Sequence, residues 1–289
     1  MAHPLRDKLR AGAQVVTVEI DPPRGADASR MLTQVDRLKG RADAVNVADS
    51  PMANLRMAPI AAAYLIQREL GVETIFHLTC LDRNLLGLQA ELLGAAALGV
   101  RNLLALTGDH PGRGNHPTAS GVFDLDVSGL VGLAKRLNDG RDHTGNELEG
   151  GADFLVGVVC NPCAPDRELE LAKLGSKVRA GAHFVQTQPV FDLERLKPFA
   201  ESAARLGVPI LYGVLPLARY RSARYLREQA GMVIPDRILE QVEAGGREAG
   251  LEIALGLAAK LRELGQGLHV FPYRDFELAW SLLERLRAG

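Results

Sequence analysis

The chain lacks the features of a disulfide-bonded or membrane-embedded protein. It contains three cysteines among 289 residues, too few for a disulfide framework, which agrees with a reducing compartment. No apolar stretch reaches the roughly 18 residues expected of a membrane span. The first residues, MAHPLRDKLRAGAQ, lack the continuous apolar segment of a secretory leader. We therefore expect a cytoplasmic protein that is not associated with a membrane.

The chain also has no excess of charge of one sign, and it lacks several familiar motifs. The 34 basic side chains are balanced by 35 acidic ones, so nothing indicates a nucleic-acid or acidic-membrane surface. No GxGxxG opening a helix, P-loop, HExxH or GxSxG is present. Nearly half of the residues (47%) are hydrophobic, enough for one large core. A small molecule is the expected partner.

Eight short apolar runs recur along the chain, separated by segments with helical spacing. Almost continuously hydrophobic runs are typical of parallel strands covered on both faces. Eight strand–helix units in succession predict an α/β fold, a (β/α)₈ TIM barrel forming a single domain over residues 1–289, with a doubly wound open sheet as the alternative. The predicted strands are 15–20, 43–48, 73–79, 102–107, 154–160, 183–188, 209–215 and 268–272.

The segments between the runs have helical patterns, and two of the connections are polar and rich in glycine. Of these loops, 108–121 and 138–152, only the first follows a predicted strand, so only it should lie at the catalytic face of a barrel. The predicted helices are 29–39, 54–70, 84–98, 126–138, 167–180, 192–206, 219–230, 235–264 and 275–287.

Polar residues stand at the ends of most predicted strands. In a barrel these ends converge on one mouth, where the chemistry of such folds is found. Amide and hydroxyl groups around an apolar barrel suit a flat, largely apolar ligand edged with hydrogen-bonding groups. The residues are Glu19, Asn46, Asp49, His77, Thr79, Thr107, Asp109, Cys160, Asn161, Gln186 and Gln188.

Each of the main candidates also has a purely structural interpretation. Glu19 could accept a hydrogen bond from a backbone amide at the barrel rim. Asp109, in TGDHP, could form an Asx-turn or a helix cap. His77 lies inside a hydrophobic strand, where a hydrogen-bonded core residue is the commoner case, and Gln188 could satisfy backbone groups before Pro189. Residue type and position leave both interpretations open.

The three cysteines permit one metal hypothesis. Cys160 and Cys163 have CxxC spacing and Cys80 ends another strand, so three sulfur ligands could in principle hold zinc. No second CxxC is present, and small buried cysteines are common at strand ends. We expect no metal.

Five segments, in order along the chain, resemble the methylenetetrahydrofolate reductase family: VTVEIDPPRG, FHLTCLDRN, LLALTGDHP, KVRAGAHFVQTQPVFD and YGVLPL. The resemblance extends from about residue 14 to the C-terminal strand and helix. It implies a (β/α)₈ barrel, as the strand count does. NPCAPD, TQPVFD and GVFDLDVSGL look most like the branch fused to a homocysteine methyltransferase domain, although no such domain is present in this sequence.

The resemblance implies reduction of 5,10-methylenetetrahydrofolate to 5-methyltetrahydrofolate by a flavin, FAD, which NADH or NADPH reduces. Glu19 matches the family's general acid, which protonates N10 of the folate. To hold a proton near pH 7 its pKa must rise, and we expect desolvation among Val16 and Val18 to raise it. Asp109 matches an aspartate beside the flavin and the pterin.

Further residues fall on family positions. Gln188 matches the glutamine that contacts the pterin, and Ser222 and Asp275 fall on other substrate positions. Cofactor contacts are implied for the side chains or backbone of Asp49, His77, Thr107, Gly108, Asp126, Asn161 and Lys177. The family's usual members are homo-oligomers, so the same is expected here.

Three departures weaken the implied flavin contacts. Ala48 and Asp49 replace a threonine and a tyrosine, and Thr107 replaces an arginine. After the fifth strand many members have Tyr-Pro-Glu-x-His-Pro. This chain has Gly157 and then CNPC there, so Asn161 replaces the histidine. FMN, or direct hydride transfer from the nicotinamide without a flavin, is therefore an alternative to FAD. Two further alternatives are a pterin-binding barrel that moves a methyl group to a corrinoid protein and a subunit that receives electrons only through a partner.

Overall fold

Eight parallel strands pair in sequence order, and the last pairs with the first. The computed structural model describes residues 3–288, and β8 lies beside β1 in a closed barrel. This confirms the (β/α)₈ barrel, and the open-sheet alternative is wrong. The strands are β1 (Val15–Ile20), β2 (Ala44–Val47), β3 (Thr74–Thr79), β4 (Asn102–Leu106), β5 (Leu155–Cys160), β6 (Phe184–Pro189), β7 (Ile210–Val214) and β8 (Gly267–Val270).

Ten α-helices are present in the described part of the chain, and most match the predicted segments. They are α1 (Pro4–Arg10), α2 (Ser29–Leu38), α3 (Pro59–Leu70), α4 (Leu85–Ala97), α5 (Val127–Asn138), α6 (Arg167–Ala180), α7 (Leu193–Ala204), α8 (Tyr220–Glu228), α9 (Asp236–Leu264) and α10 (Phe276–Ala288). α9 is interrupted at Gly246, where φ is 55°.

Two helix predictions need correction. The segment 54–70 becomes helical only at Pro59, because Met52 and Ala53 have positive φ in a short 3₁₀ turn and Pro59 fits the first helical turn. α1 was not predicted. It is only seven residues long, but Leu5 and Leu9 are spaced four apart and both are buried.

The barrel has a core inside the strands and another between strands and helices. Alternate residues of the strands point inward, and at the amino-terminal end these are apolar. The inner cluster contains Leu5, Leu9, Val15, Ala44, Ile75, Leu104, Leu155, Phe184 and Leu211. Helix α1 therefore closes the amino-terminal end, and any opening for a ligand is left to the carboxyl-terminal end.

The two glycine-rich loops lie as predicted. Segment 108–121 follows β4, whereas 138–152 follows α5 and leads into β5 at the opposite end of the barrel. An isolated antiparallel bridge between Arg141 and Glu147 orders the second loop. Within residues 3–288, every helix is too short or too polar to cross a membrane.

The fold predicts different effects for two glycines of α9. A Cβ on Gly250 would lie 1.8 Å from the carbonyl oxygen of Leu217, whereas a Cβ on Gly256 meets no atom within 4 Å. We expect Gly250→Ala to lower the free energy of unfolding by about 1–3 kcal/mol through overpacking. Gly256→Ala should raise it by up to about 1 kcal/mol, as helix propensity dictates. Urea denaturation measures both, and equal effects would show that the helix does not approach Leu217.

Candidate active site

The upper interior of the barrel is polar. Above the apolar layer, five inward-facing side chains from different strands are no more than 5% exposed. Buried polar groups are costly unless they are hydrogen-bonded, so their partners decide whether they are compatible with a stable core. The five are Thr17, Asn46, His77, Gln186 and His269.

These side chains form one hydrogen-bonded network. Asn46 and Gln186 bond to each other twice, with Asn46 Nδ2 2.8 Å from Gln186 Oε1 and Gln186 Nε2 3.1 Å from Asn46 Oδ1. Asn46 Nδ2 is also 3.0 Å from His77 Nε2. Gln186 Nε2 donates to Thr17 Oγ1 at 3.0 Å, and Thr17 Oγ1 is 2.8 Å from His269 Nδ1. The network spans the barrel from β3 to β8.

Glu19 lies at the open end of this network. It follows Thr17 by two residues on β1, so both point inward, and its side chain is 25% exposed. His269 Nε2 is 3.9 Å from Glu19 Oε2, an electrostatic contact rather than a direct hydrogen bond. Phe271 packs against the His269 ring in a T-shaped arrangement, with centroids 4.4 Å apart, and helps to fix its orientation.

The expected upward change in the pKa of Glu19 is wrong. Burial does raise the pKa of this carboxyl group, but the interaction with His269 and the charges of His77 and His269 outweigh burial and leave it below its usual value. The predicted apolar neighbours do not surround it, because Val16 and Val18 point outward and pack in the core beneath the helices. Glu19 is therefore ionised at neutral pH in this state.

His77 differs from Glu19 in its charge at neutral pH. Burial lowers its pKa from 6.5 to about 4; the charge of His269 also lowers it, and the charge of Glu19 opposes the change. His77 is therefore an uncharged imidazole at neutral pH. Since it carries no charge there, its electrostatic effect on Glu19 is confined to acidic pH, and the contact with His269 is the one that remains at neutral pH.

Asp109 follows β4 at the same end of the barrel as Glu19, in an exposed loop. Its Oδ2 accepts a hydrogen bond of 2.8 Å from the backbone N–H of Met52. The next contact between these loops joins Leu55 N to Asn115 Oδ1 at 3.1 Å. Asp109 thus joins the loop after β2 to the loop after β4. If it also contacts a ligand, it must do so while it keeps this bond to Met52.

Asp49, for which a cofactor contact is predicted, is bonded within the protein. Its side chain is 3% exposed and forms an ion pair of 2.8 Å with Arg83. It also accepts bonds from the backbone N–H and the hydroxyl of Thr79. Burial raises the pKa of Asp49, although Arg83 opposes this. The position holds a buried ion pair of the protein itself.

Three more predicted cofactor residues already have structural partners. Asp126 caps α5 through a bond of 2.7 Å from Gly129 N. Asn161 Oδ1 accepts from Cys163 N at 3.1 Å. Lys177 donates to the carbonyl oxygen of Val159 at 2.7 Å, and burial lowers the pKa of this lysine. These bonds, like those of Asp49, use part of each side chain's hydrogen-bonding capacity within the protein, and the flavin contacts that the resemblance implies stay predictions.

The other predicted residues lie at the carboxyl-terminal end of the barrel with fewer fixed partners. Gln188, on β6, and Thr107 are exposed, and Ser222 is half-buried in the first turn of α8. Gly108 has φ of 95°, and a Cβ there would lie 2.7 Å from Leu81 Cβ, so only glycine fits. Asp275 is different: it accepts from Leu278 N and Arg247 at the start of α10.

The cysteines do not form a metal site. Cys80, Cys160 and Cys163 are free and buried, and among residues 3–288 no group of three or more His, Cys, Asp or Glu side chains is arranged to hold a metal ion. Cys160 packs in the outer core, so its predicted place in the mouth is wrong. Burial raises the pKa of all three thiols, which makes them poor nucleophiles.

The sequence interpretation missed Thr17 and His269 and gave no role to Gln186 beyond its strand end. Part of the signal was present, since period-two alternation places Thr17 on the same face as Glu19. On β6 a register shift between Gln186 and Pro189 interrupts the alternation, so the place of Gln186 did not follow from that of Gln188. His269 is the single polar residue of the run LHVFP. What the alternation could not give was the set of partners across the barrel.

Comparison with known proteins identifies the family. The family model described as methylenetetrahydrofolate reductase matches residues 4–287. The chain belongs to this family. Its sequence is 26% identical over 286 residues to a 5,10-methylenetetrahydrofolate reductase of Salmonella typhimurium, covering 94% of this chain and 90% of that protein.

Other members of the reductase family are longer. A methylenetetrahydrofolate reductase of Schizosaccharomyces pombe is 26% identical over 284 residues, which cover 93% of this chain but 45% of the yeast protein; the chain thus spans about half of that relative. Among solved structures, 2,3-dimethylmalate lyase superposes with a TM-score of 0.57 at 13% identity, covering 98% of this chain and 85% of that one. The latter likeness shows the barrel fold alone.

The low pKa of His77 predicts a pH dependence of stability. In the unfolded chain His77 binds a proton below about pH 6.5, whereas in the folded protein it does so only near pH 4. Its contribution is therefore fully present above pH 6.5 and is lost as the pH falls toward 4, by about 3 kcal/mol if 1.36 kcal/mol corresponds to one pH unit.

Denaturant unfolding between pH 7 and 4 measures this effect. We expect the curve of His77→Gln to fall less steeply than that of the wild type, whereas exposed His116→Gln should parallel the wild type. Parallel curves for all three proteins would show that His77 is not held uncharged.

Proposed function

We propose that this chain reduces 5,10-methylenetetrahydrofolate to 5-methyltetrahydrofolate, with Glu19 as the general acid. The observation that carries the proposal is the position of Glu19: a partly exposed carboxylate at the open end of a barrel, in contact with His269 and anchored beside a buried polar network. Membership of the reductase family supports the same reaction.

The reaction explains why an acid is needed there. The methylene group of the substrate bridges N5 and N10 and is a poor hydride acceptor. When N10 receives a proton, its bond to the methylene carbon breaks and an iminium forms at N5. A hydride then adds to that carbon and gives the N5-methyl group. One proton and one hydride are consumed, and the nicotinamide nucleotide that supplies the hydride is oxidised.

Glu19 has to acquire the proton that it donates. It is ionised in the ligand-free site because His269 stabilises the carboxylate. A flat pterin placed over the mouth would remove the remaining exposure of the side chain, and desolvation raises the pKa of a carboxyl group. We infer that the proton enters as the folate binds, and that Glu19 passes it to N10.

Other residues at the mouth would orient the folate. Gln188 is exposed, and its amide can pair with the donor–acceptor edge of a pterin. Asp109 would accept from the pterin amino group while still bonded to Met52. Ser222, near the start of α8, has a hydroxyl for the remainder of the substrate. Asp275 would act there only if its bond to Arg247 is exchanged.

For the hydride we propose direct transfer from NADH or NADPH. FAD is the carrier that the family resemblance implies, and FMN is a second one. The observation that favours direct transfer is the pairing of Asp49, Asp126, Asn161 and Lys177 within the protein. Thr107 and Gly108 lie at the mouth for contacts with the nicotinamide nucleotide or the folate, whereas His77 is buried in the polar network below it.

The alternative functions differ from the reductase in what they require of the site and of a partner. A methyl-transferring barrel would not need an acid at N10, so Glu19 together with Asp109 favours the reductase. A partner-dependent subunit would be inactive alone. A cytoplasmic location and a homo-oligomeric state are expectations from the sequence and the resemblance.

The general acid is tested by Glu19→Gln. We expect folate reduction to fall by a factor of about 10² to 10⁴, the usual value of well-placed acid catalysis, because the amide cannot protonate N10. Binding of the nicotinamide nucleotide, followed by its fluorescence, should be retained. The control is Asp21→Asn, which removes a nearby carboxylate that pairs with Arg56 at the surface. If Glu19→Gln reduced the folate at the wild-type rate, Glu19 would have no part in the mechanism.

The hydride route is tested by absorption and kinetics. We expect purified protein without the visible absorption bands of a flavin, and steady-state rates in which nicotinamide nucleotide and folate must bind together. A flavin carrier would instead give those bands and a ping-pong pattern. Stoichiometric FAD or FMN with ping-pong kinetics would restore the flavin route and remove the direct one.

A further inference from the structure

Asn46 and Gln186 form a reciprocal amide pair at the centre of the barrel, at 0% and 1% exposure. Each nitrogen of such a pair has two hydrogens. Asn46 Nδ2 faces Gln186 Oε1 and His77 Nε2. Gln186 Nε2 faces Asn46 Oδ1 and Thr17 Oγ1, and His269 Nδ1 is a third, longer contact at 3.5 Å. Every hydrogen of the two amide groups therefore has an acceptor.

This arrangement fixes the proton on each of two histidines. Because Asn46 Nδ2 donates to it, His77 Nε2 is bare and the ring proton is on Nδ1. Because Thr17 Oγ1 accepts from Gln186, its own hydrogen is donated to His269 Nδ1. His269 Nδ1 is then bare, and the ring proton is on Nε2, which faces Glu19.

A second orientation of the two side-chain amides also gives each of these contacts one donor and one acceptor. If both amides were reversed, His77 Nε2–H would donate to the Asn46 oxygen, Thr17 would donate to the Gln186 oxygen, and His269 Nδ1–H would donate to Thr17. Reversing one amide alone places two oxygens and two nitrogens against each other. The two histidine tautomers are thus set together, through amides that are buried from solvent.

The charge of Glu19 distinguishes the two arrangements. In the first, His269 directs Nε2–H toward the Glu19 carboxylate 3.9 Å away; in the second, it directs a lone pair toward the same negative charge. We propose that Asn46 and Gln186 are positioning residues that couple the two histidines and hold His269 as the Nε2–H tautomer and His77 as the Nδ1–H tautomer.

The consequence for catalysis rests on the proposed function of Glu19. An Nε2–H group stabilises the carboxylate but has no lone pair to accept a proton from Glu19. In the reversed arrangement, a protonated Glu19 would donate to His269 instead of to the substrate. The amide pair therefore directs the acidic proton toward the mouth of the barrel.

Two-bond ¹H–¹⁵N correlation spectra of the full chain with ¹⁵N-labelled histidine test the proposal, because a bare ring nitrogen resonates well downfield of a protonated one. His77→Gln and His269→Gln assign the two sets of signals. At neutral pH we expect Nδ1–H for His77 and Nε2–H for His269 in the wild type. The two opposite tautomers would overturn the assigned orientation, and any other combination, including a charged ring, would overturn the coupling.

Gln186→Glu tests the coupling directly. The carboxyl oxygen that replaces Nε2 has at most one hydrogen, and the Asn46 oxygen that it faces can only accept. No hydrogen is then left for Thr17, so Thr17 should donate to residue 186 and accept from His269 Nδ1–H. His269 should change to the Nδ1–H tautomer while His77, still bonded to Asn46, does not. Gln188→Glu, two residues farther along the same strand and exposed, should change neither tautomer. An unchanged His269 in Gln186→Glu would contradict the proposal.

The wild-type spectrum decides the orientation even where a variant fails to fold, and it requires no folate turnover. The two proposals can therefore fail separately. The expected tautomers together with full activity of Glu19→Gln would remove only the reaction assignment, whereas the reverse tautomers with an inactive Glu19→Gln would remove only the positioning role.

Discussion

The pairing of β8 with β1 is the constraint on which the site depends. In that register Thr17 lies opposite His269, and Glu19 is paired with Asn46 on the other side of β1. Because side chains alternate with a period of two, a slip of one residue would turn Thr17 and Glu19 to the helices and Val16 and Val18 into the barrel. Closure of the barrel thus assembles the network from strands that are distant in sequence. α1 contributes at the opposite end, where Leu5 and Leu9 exclude water from the interior.

A polar centre is tolerated in this core because it is satisfied. Burying an amide without partners costs up to several kcal/mol, but Asn46 and Gln186 return both hydrogen bonds to each other and use their remaining hydrogens on His77 and Thr17. Loss of one member leaves its partner unpaired in a medium where few waters can replace it, so the groups behave as a unit. The same unit separates the apolar half of the barrel from the half that opens to the ligand.

The sequence predicted the barrel, because the eight apolar runs and the helical segments between them carry the necessary periodicities. It also placed the candidate residues Glu19, Gln188 and Asp109 at strand ends, and the structure has all three at the carboxyl-terminal end of the barrel. It could not predict partners that are set by tertiary structure. Asp49 looked like a rim residue until Arg83, one helix farther along, was found to neutralise it in the protein interior. The pKa of Glu19 was predicted in the wrong direction for the same reason: its strand neighbours are apolar, but its neighbours across the barrel are imidazoles.

These neighbours give Glu19 two unlike sides. Toward the barrel axis it meets His269, a ring packed against Phe271 and bonded to Thr17, so that side is rigid and offers an electrostatic contact at 3.9 Å. Toward the mouth a quarter of the side chain is open, and solvent or a ligand can exchange protons with it. The proposed role as a general acid needs such an asymmetry, because a carboxyl group buried on every side could not exchange protons with solvent, and one that stayed exposed on every side would not gain a proton when the substrate binds. The barrel provides the rigid side in the free protein, and the substrate has to provide the other.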